Sequence, residues 1–88
     1  MKVLKFGAIW CKECLVMRPM WEEIEADLPD LKTEYYDADL NPEVIKKYEV
    51  KNLPVFIFLD KDDNEISRLK GIQNKEDLIK AVKENIEK

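Results

Sequence analysis

One segment at residues 6–14 carries the main structural signal of this chain: Phe6-Gly7-Ala8-Ile9-Trp10-Cys11-Lys12-Glu13-Cys14. It continues a short apolar run at residues 2–6, which is typical of a β-strand that ends at a glycine. Apolar residues then recur with helical spacing over about residues 12–28, at Met17, Met20, Trp21, Ile24 and Leu28. The chain is therefore predicted to leave a strand and enter a helix within this segment. The opposite face of that helix is expected to be solvated, since it carries Glu22, Glu23 and Glu25.

The rest of the chain continues this alternation of strands and helices. Strands are predicted at residues 32–37, 55–59 and 65–70, and the continuous apolar run at 55–59 favours a central strand covered on both faces. Helices are predicted at about residues 42–48 and after Asn74, with Asn41 and Asn74 as their N-cap residues. The order βαβαββα predicts an α/β fold with a four-stranded mixed sheet flanked by three helices. A right-handed crossover makes the first two strands parallel, and a short turn makes the last two a hairpin. Because no linker or repeat interrupts the pattern, residues 1–88 are expected to form a single domain.

Composition argues against several classes of function. The 88 residues carry 15 Lys and Arg against 19 Asp and Glu, and this net charge of −4 argues against nucleic-acid binding through a basic face. Histidine is absent, which excludes Ser-His-Asp and Cys-His catalysis. No apolar run approaches the roughly 18 residues of a membrane span, and the N-terminus lacks the pattern of a signal peptide. We therefore expect a soluble, cytoplasmic protein without a membrane partner. We also expect it to be a monomer.

The two cysteines, Cys11 and Cys14, lie one helical turn apart at the start of the first predicted helix. Residues at this spacing have Cβ atoms about 5–6 Å apart, so a disulfide can close and reopen without unfolding the helix. The enclosed loop is too short for the bond to add much stability, which indicates redox chemistry. The helix N-terminus favours a thiolate, most strongly at Cys11. We expect Cys11 to attack a substrate disulfide and Cys14, which should be more buried, to resolve the mixed disulfide.

Residues 6–14 resemble the active-site segment of the thioredoxin family. Further matching features extend from about Val3 to the C-terminus, and they are Pro19, Asn41-Pro42, Tyr48, Leu53-Pro54 and Gly71. The usual first strand and helix of the family are missing, so the chain resembles a trimmed, glutaredoxin-sized thioredoxin. The resemblance implies a thioredoxin-like fold and a protein-disulfide reductase, active in electron transport and redox homeostasis, that needs no bound cofactor. It also implies disulfide-containing protein substrates and a thioredoxin-reductase-type enzyme as electron donor.

The resemblance further implies a substrate-binding groove. In thioredoxin-like folds the proline that matches Pro54 follows a cis peptide bond and lies beside the cysteine pair. The backbone of Leu53 would then pair with an extended substrate segment, as in strand addition. Trp10, Leu53, Pro54 and Ile72 are expected to form the apolar rim of this groove.

Several positions depart from the family pattern. Lys5 stands where the family has a buried acid, and Tyr35 stands where it has a partner lysine. Two interpretations of Lys5 are open: its ammonium group lies under the cysteine pair and favours the thiolates, or it reaches solvent along its apolar stem. Lys12-Glu13 replaces the usual Gly-Pro and places opposite charges near Cys11, with Lys12 a candidate modulator of the thiol.

Three other functions are compatible with these residues. The first is a glutaredoxin-like oxidoreductase that uses glutathione, although Trp10 and the single Gly71 argue mildly against it. The second is a non-catalytic adaptor that binds a partner through the groove. The third is a metal-binding module that holds a soft ion such as Cu(I) between the two thiolates. No metal is expected in our preferred interpretation, because a zinc site would need two more ligands from a chain without further Cys or any His.

Overall fold

Among the residues that the structure describes, seven regular elements follow one another in the predicted order. The computed structural model describes residues 2–86, except for the side chain of Ile86. Its strands are β1 (Lys2–Gly7), β2 (Lys32–Asp37), β3 (Val55–Leu59) and β4 (Glu65–Lys70), and its helices are α1 (Lys12–Asp27), α2 (Pro42–Lys47) and α3 (Lys75–Ile86). The predicted boundaries agree with these ranges to within about one residue, and the α/β fold with the order βαβαββα is confirmed. None of these helices is both long enough and apolar enough to cross a bilayer.

One four-stranded mixed sheet, in the order β2-β1-β3-β4, organises the molecule. β1 pairs with β2 in parallel, whereas β3 is antiparallel to both β1 and β4, as the predicted crossover and hairpin require. The register places Phe6 opposite Tyr36 on one side and Val55 on the other. The end of β1 therefore lies beside the start of β3, and this brings the residues that follow β1 close to those that precede β3.

Helices and loops cover both faces of the sheet. One face packs against α1 and α3, in a buried cluster of Val3, Met17, Trp21, Ile24, Phe56, Phe58, Leu78 and Val82. The other face packs against α2 and the loop after it, in a cluster of Leu4, Phe6, Val50, Val55, Ile57 and Leu59. All five residues of β3 are buried, because this strand lies inside the sheet with a layer on each side. Its continuous apolar sequence predicted that position.

The helix starts differ in how their free N–H groups are satisfied. Asn74 Oδ1 accepts the backbone N–H of Asp77 at 2.8 Å, so Asn74 caps α3 as expected. The prediction that Asn41 caps α2 is wrong, because its side chain makes no cap hydrogen bond and its Nδ2 donates to the carbonyl oxygen of Asp37 at 3.0 Å. That carbonyl also accepts the backbone N–H groups of Leu40 and Asn41. The turn after β2 is thus built around Asp37, and it draws the Asn41 amide away from the helix.

Candidate active site

Cys11 and Cys14 form a disulfide at the start of α1, just beyond the end of β1. Their Cα atoms are 5.2 Å apart, which suits a disulfide because one turn of helix brings residues at this spacing to the same face. The backbone N–H of Cys11 donates to the carbonyl of Ala8 at 3.2 Å, so the connection from β1 turns tightly into the helix. The strand, the cysteine pair and the helix therefore follow one another in the predicted order. In residues 2–86, no group of three or more His, Cys, Asp or Glu side chains is arranged to hold a metal ion.

Cys11 is the N-cap residue of α1. Its Sγ accepts the backbone N–H of Cys14 at 3.2 Å, as a polar cap side chain does for the first turn of a helix. The same N–H group and the helix dipole stabilise negative charge on this sulfur once the disulfide is opened. The predicted electrostatic difference between the two cysteines thus has a structural basis.

The predicted difference in burial between the two cysteines is wrong. Cys11 is only 3% exposed, whereas Cys14 is partly exposed. The cause is the open space beside Cys14, which lines a cavity next to Gly7. Because glycine has no side chain, nothing from that position covers Cys14. Shielding of Cys14 therefore cannot be the reason for Cys11 to act as the nucleophile, and that assignment has to rest on electrostatics.

Two charged residues lie between the cysteines, and the acidic one approaches a sulfur atom. Glu13 Oε2 lies 3.9 Å from Cys11 Sγ. Lys12 is exposed, where water and salt screen its charge. The sequence alone does not decide whether Lys12 or Glu13 has the stronger effect on Cys11. The geometry favours the carboxylate as the stronger influence, and a nearby negative charge opposes formation of a thiolate at Cys11.

Lys5 lies in β1 and is held by an ion pair with α1. Its Nζ is 3.1 Å from Glu25 Oε2 and 5.9 Å from the centre of the Trp21 ring. Thr33 donates its hydroxyl to Glu25 Oε1 at 2.6 Å, which fixes the carboxylate. Lys5 therefore neither extends freely into solvent nor offers an unpaired charge to the cysteines, although it lines the same cavity as Cys14. The expectation that the acidic face of α1 is only a solvated surface is wrong at Glu25.

Trp10 precedes the cysteine pair and is 67% exposed. Its Nε1 donates to Asp39 Oδ2 at 2.8 Å, and this bond fixes the indole next to Cys11. Sequence reasoning missed Asp39, although a signal was available. Asp39 follows β2, which runs parallel to β1, and the carboxyl ends of parallel strands lie at the same edge of a sheet.

The other residues predicted for the groove differ in exposure. The Leu53–Pro54 peptide bond is cis, as the resemblance implied. Pro54 is fully buried and lines the cavity beside Cys14, so it lies deeper than an exposed rim. Its carbonyl accepts the backbone N–H of Gly71 at 2.8 Å, which places Ile72, 58% exposed, near it. The half-buried side chain of Leu53 packs against the core cluster under α2. The structure thus brings Pro54 and Ile72 together and turns the Leu53 side chain inward.

Tyr35 and Cys14 face each other across Gly7. A Cβ atom on Gly7 would lie 3.1 Å from Tyr35 Oη and 3.3 Å from Cys14 Cβ, so a residue without a side chain suits this position best. Burial and the Asp37 carboxylate raise the pKa of Tyr35, although Arg18 acts in the opposite direction. The Tyr35 hydroxyl therefore keeps its proton at neutral pH and can donate a hydrogen bond to a group beside Cys14.

Comparisons of sequence identify relatives of this chain. The family model described as Thioredoxin matches residues 1–84. Thioredoxin H5 of rice, Oryza sativa subsp. japonica, is 42% identical over 76 residues, which cover 86% of this chain and 55% of the relative. The thioredoxin of Chlamydia trachomatis is 34% identical over 80 residues, which cover 91% of this chain and 78% of the relative. The chain thus spans about half the length of the rice protein and most of the chlamydial one.

Comparison of structures gives the same result for the fold. Thioredoxin 1 of the thermophile Thermosipho africanus superposes with a TM-score of 0.86 at 28% identity, covering 99% of this chain and 96% of that protein. The thioredoxin NaTrxh of Nicotiana alata superposes with a TM-score of 0.89 at 28% identity, covering 96% of this chain and 71% of that protein. These likenesses confirm the predicted α/β architecture.

Proposed function

Because this chain belongs to the thioredoxin family, we propose that it reduces disulfide bonds in other proteins, with Cys11 as the nucleophile and Cys14 as the resolving residue. The family match and the Cys-X-X-Cys pair support thiol–disulfide oxidoreductase activity. The observation that carries the assignment of roles is the hydrogen bond from the Cys14 N–H to Cys11 Sγ. A sulfur that already accepts an N–H at a helix N-terminus is the better thiolate, and the thiolate is the attacking species.

The proposed reaction has two exchange steps. The Cys11 thiolate attacks one sulfur of the substrate disulfide, and the other substrate sulfur leaves as a thiolate that takes up a proton. The thiol of Cys14 then loses its proton and attacks Cys11 Sγ, which restores the Cys11–Cys14 disulfide and releases the second substrate sulfur. Two electrons pass from the protein to the substrate in one cycle. A helical turn between the cysteines suits this chemistry, because the second attack needs no rearrangement of the backbone.

The substrate segment is proposed to lie in extended form along Leu53 and against Trp10, Pro54 and Ile72. In the part of the chain that the structure describes, Leu53 takes part in no backbone hydrogen bond outside the helices and strands. Its N–H and C=O groups are thus available for strand addition. Trp10 and Ile72 offer exposed apolar surface on either side, which supports contact with a largely apolar peptide.

Lys5 and Lys12 remain proposed modulators of the cysteine pair. The pairing of Lys5 with Glu25 reduces the field that Lys5 exerts on the sulfur atoms, so the expected effect of Lys5→Met on the thiolates is small. Lys12 is exposed and is expected to act weakly through solvent. Alkylation rates measured against pH in Lys5→Met and Lys12→Gln test both roles. A titration unchanged from wild type in either variant removes that residue from the list of modulators.

The partners and the context of this activity are also proposals. We propose that residues 1–88 act as a single monomeric domain, that the substrates are disulfide-containing proteins, and that a thioredoxin-reductase-type enzyme supplies the electrons in a reducing, cytoplasmic compartment. The presence of two cysteines in one exchange motif, without further cysteines for structural disulfides, supports such a compartment. Reduction of the oxidised protein by NADPH with a thioredoxin reductase, compared with reduction by glutathione, tests the donor, and sedimentation tests the monomer.

An insulin disulfide-reduction assay with two matched variants tests the proposed roles. Cys11→Ser is expected to abolish turnover, because it removes the nucleophile. Cys14→Ser is expected to accumulate a mixed disulfide between Cys11 and the substrate, detectable as a covalent complex that dithiothreitol releases. A trapped complex on Cys14 in the Cys11→Ser variant, with none on Cys11 in Cys14→Ser, would reverse the assignment.

A further inference from the structure

A cavity of approximately 410 Å³ lies between α1 and strands β1 and β2, and one of the two cysteines forms part of its wall. Cys14 lines the cavity, whereas Cys11 is not among the lining residues within the described range 2–86. Its volume falls within the range of about 300–1,000 Å³ that is typical of small-molecule sites. A small thiol fits in such a space, but a folded protein does not.

The cavity is reached from solvent, and Gly7 forms part of its wall beside Cys14. The exposed residues Leu15, Arg18 and Tyr35 contribute to its wall. A Cβ atom on Gly7 would be in close contact with Tyr35 Oη and Cys14 Cβ, at 3.1 and 3.3 Å. Any side chain at this position would therefore take up space directly beside Cys14.

Charges around the cavity match a ligand that carries both signs. Lys5 is neutralised by Glu25 at 3.1 Å. Arg18 forms no ion pair within 4 Å with any carboxylate of residues 2–86. Glu22 and Asp37 also belong to the lining and add negative charge. An α-amino acid head group offers a carboxylate to Arg18 and an ammonium to Glu22 or Asp37, so each of its two charges has a partner of opposite sign in the cavity wall.

The chemistry of exchange favours attack on Cys14 from this side. A thiolate attacks a disulfide in line with the bond that breaks, so attack on Cys14 Sγ comes from the side away from Cys11. The cavity is on the Cys14 side of the pair, since it is lined by Cys14 and not by Cys11 among the residues described. Cys11 is also the better leaving group, because its Sγ accepts the Cys14 N–H at 3.2 Å and lies at the helix N-terminus.

We propose that small thiols with an α-amino acid head group, of the cysteine class, reduce the oxidised protein directly by attack on Cys14 from this cavity. The small thiolate forms a mixed disulfide with Cys14 and releases Cys11 as a thiolate. A second small thiolate then attacks the outer sulfur of that mixed disulfide, so the two small thiols leave joined as a disulfide and Cys14 leaves as a thiolate that takes up a proton. The two small thiols supply both electrons. This route rests on the proposed function and adds a second entry for electrons, at Cys14, to the exchange at Cys11.

The attacked sulfur can be identified in the wild-type protein. The oxidised protein is mixed with excess L-cysteine, quenched in acid after short times, and treated with N-ethylmaleimide. Trypsin cleaves after Lys12 and so separates the two cysteines onto different peptides. Mass spectrometry is expected to find a cysteine adduct on the Cys14 peptide and maleimide on the Cys11 peptide. A cysteine adduct on Cys11 instead would overturn the proposal.

Variants of the cavity test the site itself. Arg18→Gln, at an exposed position, is expected to slow reduction by L-cysteine about fivefold, the effect of losing one partly screened charge contact, and to leave reduction by uncharged 2-mercaptoethanol unchanged. Gly7→Ala is expected to slow both, because its methyl group narrows the space beside Cys14. Lys61→Gln, which removes an exposed charge from the turn between β3 and β4, is the matched control and should behave as wild type. Equal rates with L-cysteine in Arg18→Gln and wild type would refute the site.

Insulin reduction by the wild-type protein separates this proposal from the function on which it rests. Dithiothreitol serves as the reductant in that assay. If the wild type reduces insulin but L-cysteine attaches to Cys11, the cavity route is wrong and the proposed function stands. If the wild type fails to reduce insulin, the proposed function is wrong, whichever sulfur atom L-cysteine attacks.

Discussion

The carboxylate of Glu13 lies 3.9 Å from the sulfur of Cys11, at the same helix end where the Cys14 N–H donates to that sulfur. The two influences have opposite signs, since the N–H stabilises a thiolate and the carboxylate destabilises it. Glu13 therefore opposes part of the stabilisation that the helix N-terminus gives to a thiolate at Cys11. The residue between the cysteines that matters most for the nucleophile is thus the acidic one.

Glu13→Gln is expected to lower the pH at which Cys11 becomes a thiolate, because it removes this repulsion without changing the shape of the side chain. The initial rate of iodoacetamide alkylation at pH 7 should rise roughly threefold. Glu76→Gln is a suitable control, since Glu76 occupies the first turn of α3 as Glu13 does that of α1. An unchanged alkylation profile in Glu13→Gln would show that the carboxylate does not act on the reduced thiol.

The ion pair between Lys5 and Glu25 is expected to stabilise the fold. Glu25→Gln should lower the free energy of unfolding by about 1–2 kcal/mol, because it leaves a mostly buried ammonium group without its charged partner. Lys5→Met should cost less, since it keeps the apolar stem and leaves a carboxylate whose side chain is 32% exposed. Urea unfolding of the oxidised proteins measures both effects. Glu22→Gln, on the exposed side of the same helix, is the control, and an equal loss there would contradict this interpretation.

Gly71 ends β4 with a backbone φ of +79°, a conformation that L-amino acids other than Asn and Asp rarely adopt. Gly71→Ala is therefore expected to destabilise the protein by about 1 kcal/mol through backbone strain alone, since a Cβ there would meet nothing within 4 Å. Gly71→Asn should cost less than Gly71→Ala, because asparagine tolerates this region better. If thermal unfolding ranks the two variants in the opposite order, backbone strain is not the cause.

Arg68 and Glu65 form a two-bond ion pair that makes stability depend on pH. Arg68 Nε and Nη2 donate to the two Glu65 carboxylate oxygens at 2.8 and 2.7 Å, and Nη2 also donates to the carbonyl of Tyr48 at 2.8 Å. The hydrogen bonds from Arg68 lower the pKa of Glu65, against the opposing effect of burial. A lowered pKa in the folded state contributes stability above the unfolded value of about 4.3 and loses it as the pH falls through the folded value.

Glu65→Gln should therefore be less stable than wild type at pH 7 by less than about 1 kcal/mol, since the pair is partly exposed. The difference should shrink as the pH falls below about 4. Urea unfolding at pH 7, 5 and 3 measures this difference, and Glu43→Gln on α2 serves as the control. A difference that stays constant down to pH 3 would mean that the charge of Glu65 is not what stabilises the wild type.

Local patterns were sufficient to predict the elements of the fold. The apolar run Val55–Leu59 predicted a strand covered on both faces, and all five residues are buried. Asn74 predicted the start of α3, and its side chain caps that helix. Both predictions succeed because each depends on residues that are neighbours in sequence. The prediction for Asn41 fails because a turn carbonyl outside the helix competes for its side chain.

Local sequence patterns could not predict the contacts between distant parts of the chain. The bond from Trp10 to Asp39 and the pair of Lys5 with Glu25 join residues from different elements. Their geometry depends on how α1 lies across the sheet and on the register of β1 with β2. A sequence pattern that spans one or two helical turns contains no information on the position of α1 or on the register of β1 with β2.

The sequence by itself determined the order of strands and helices, the family and the placement of Cys11 at a helix N-terminus, because periodicity, capping and the spacing of two cysteines act over a few residues. The tertiary structure alone decided which cysteine is more exposed. That exposure depends on Gly7, Tyr35 and the helix packed above them, and the space they leave beside Cys14 exists only when three separate elements are in place.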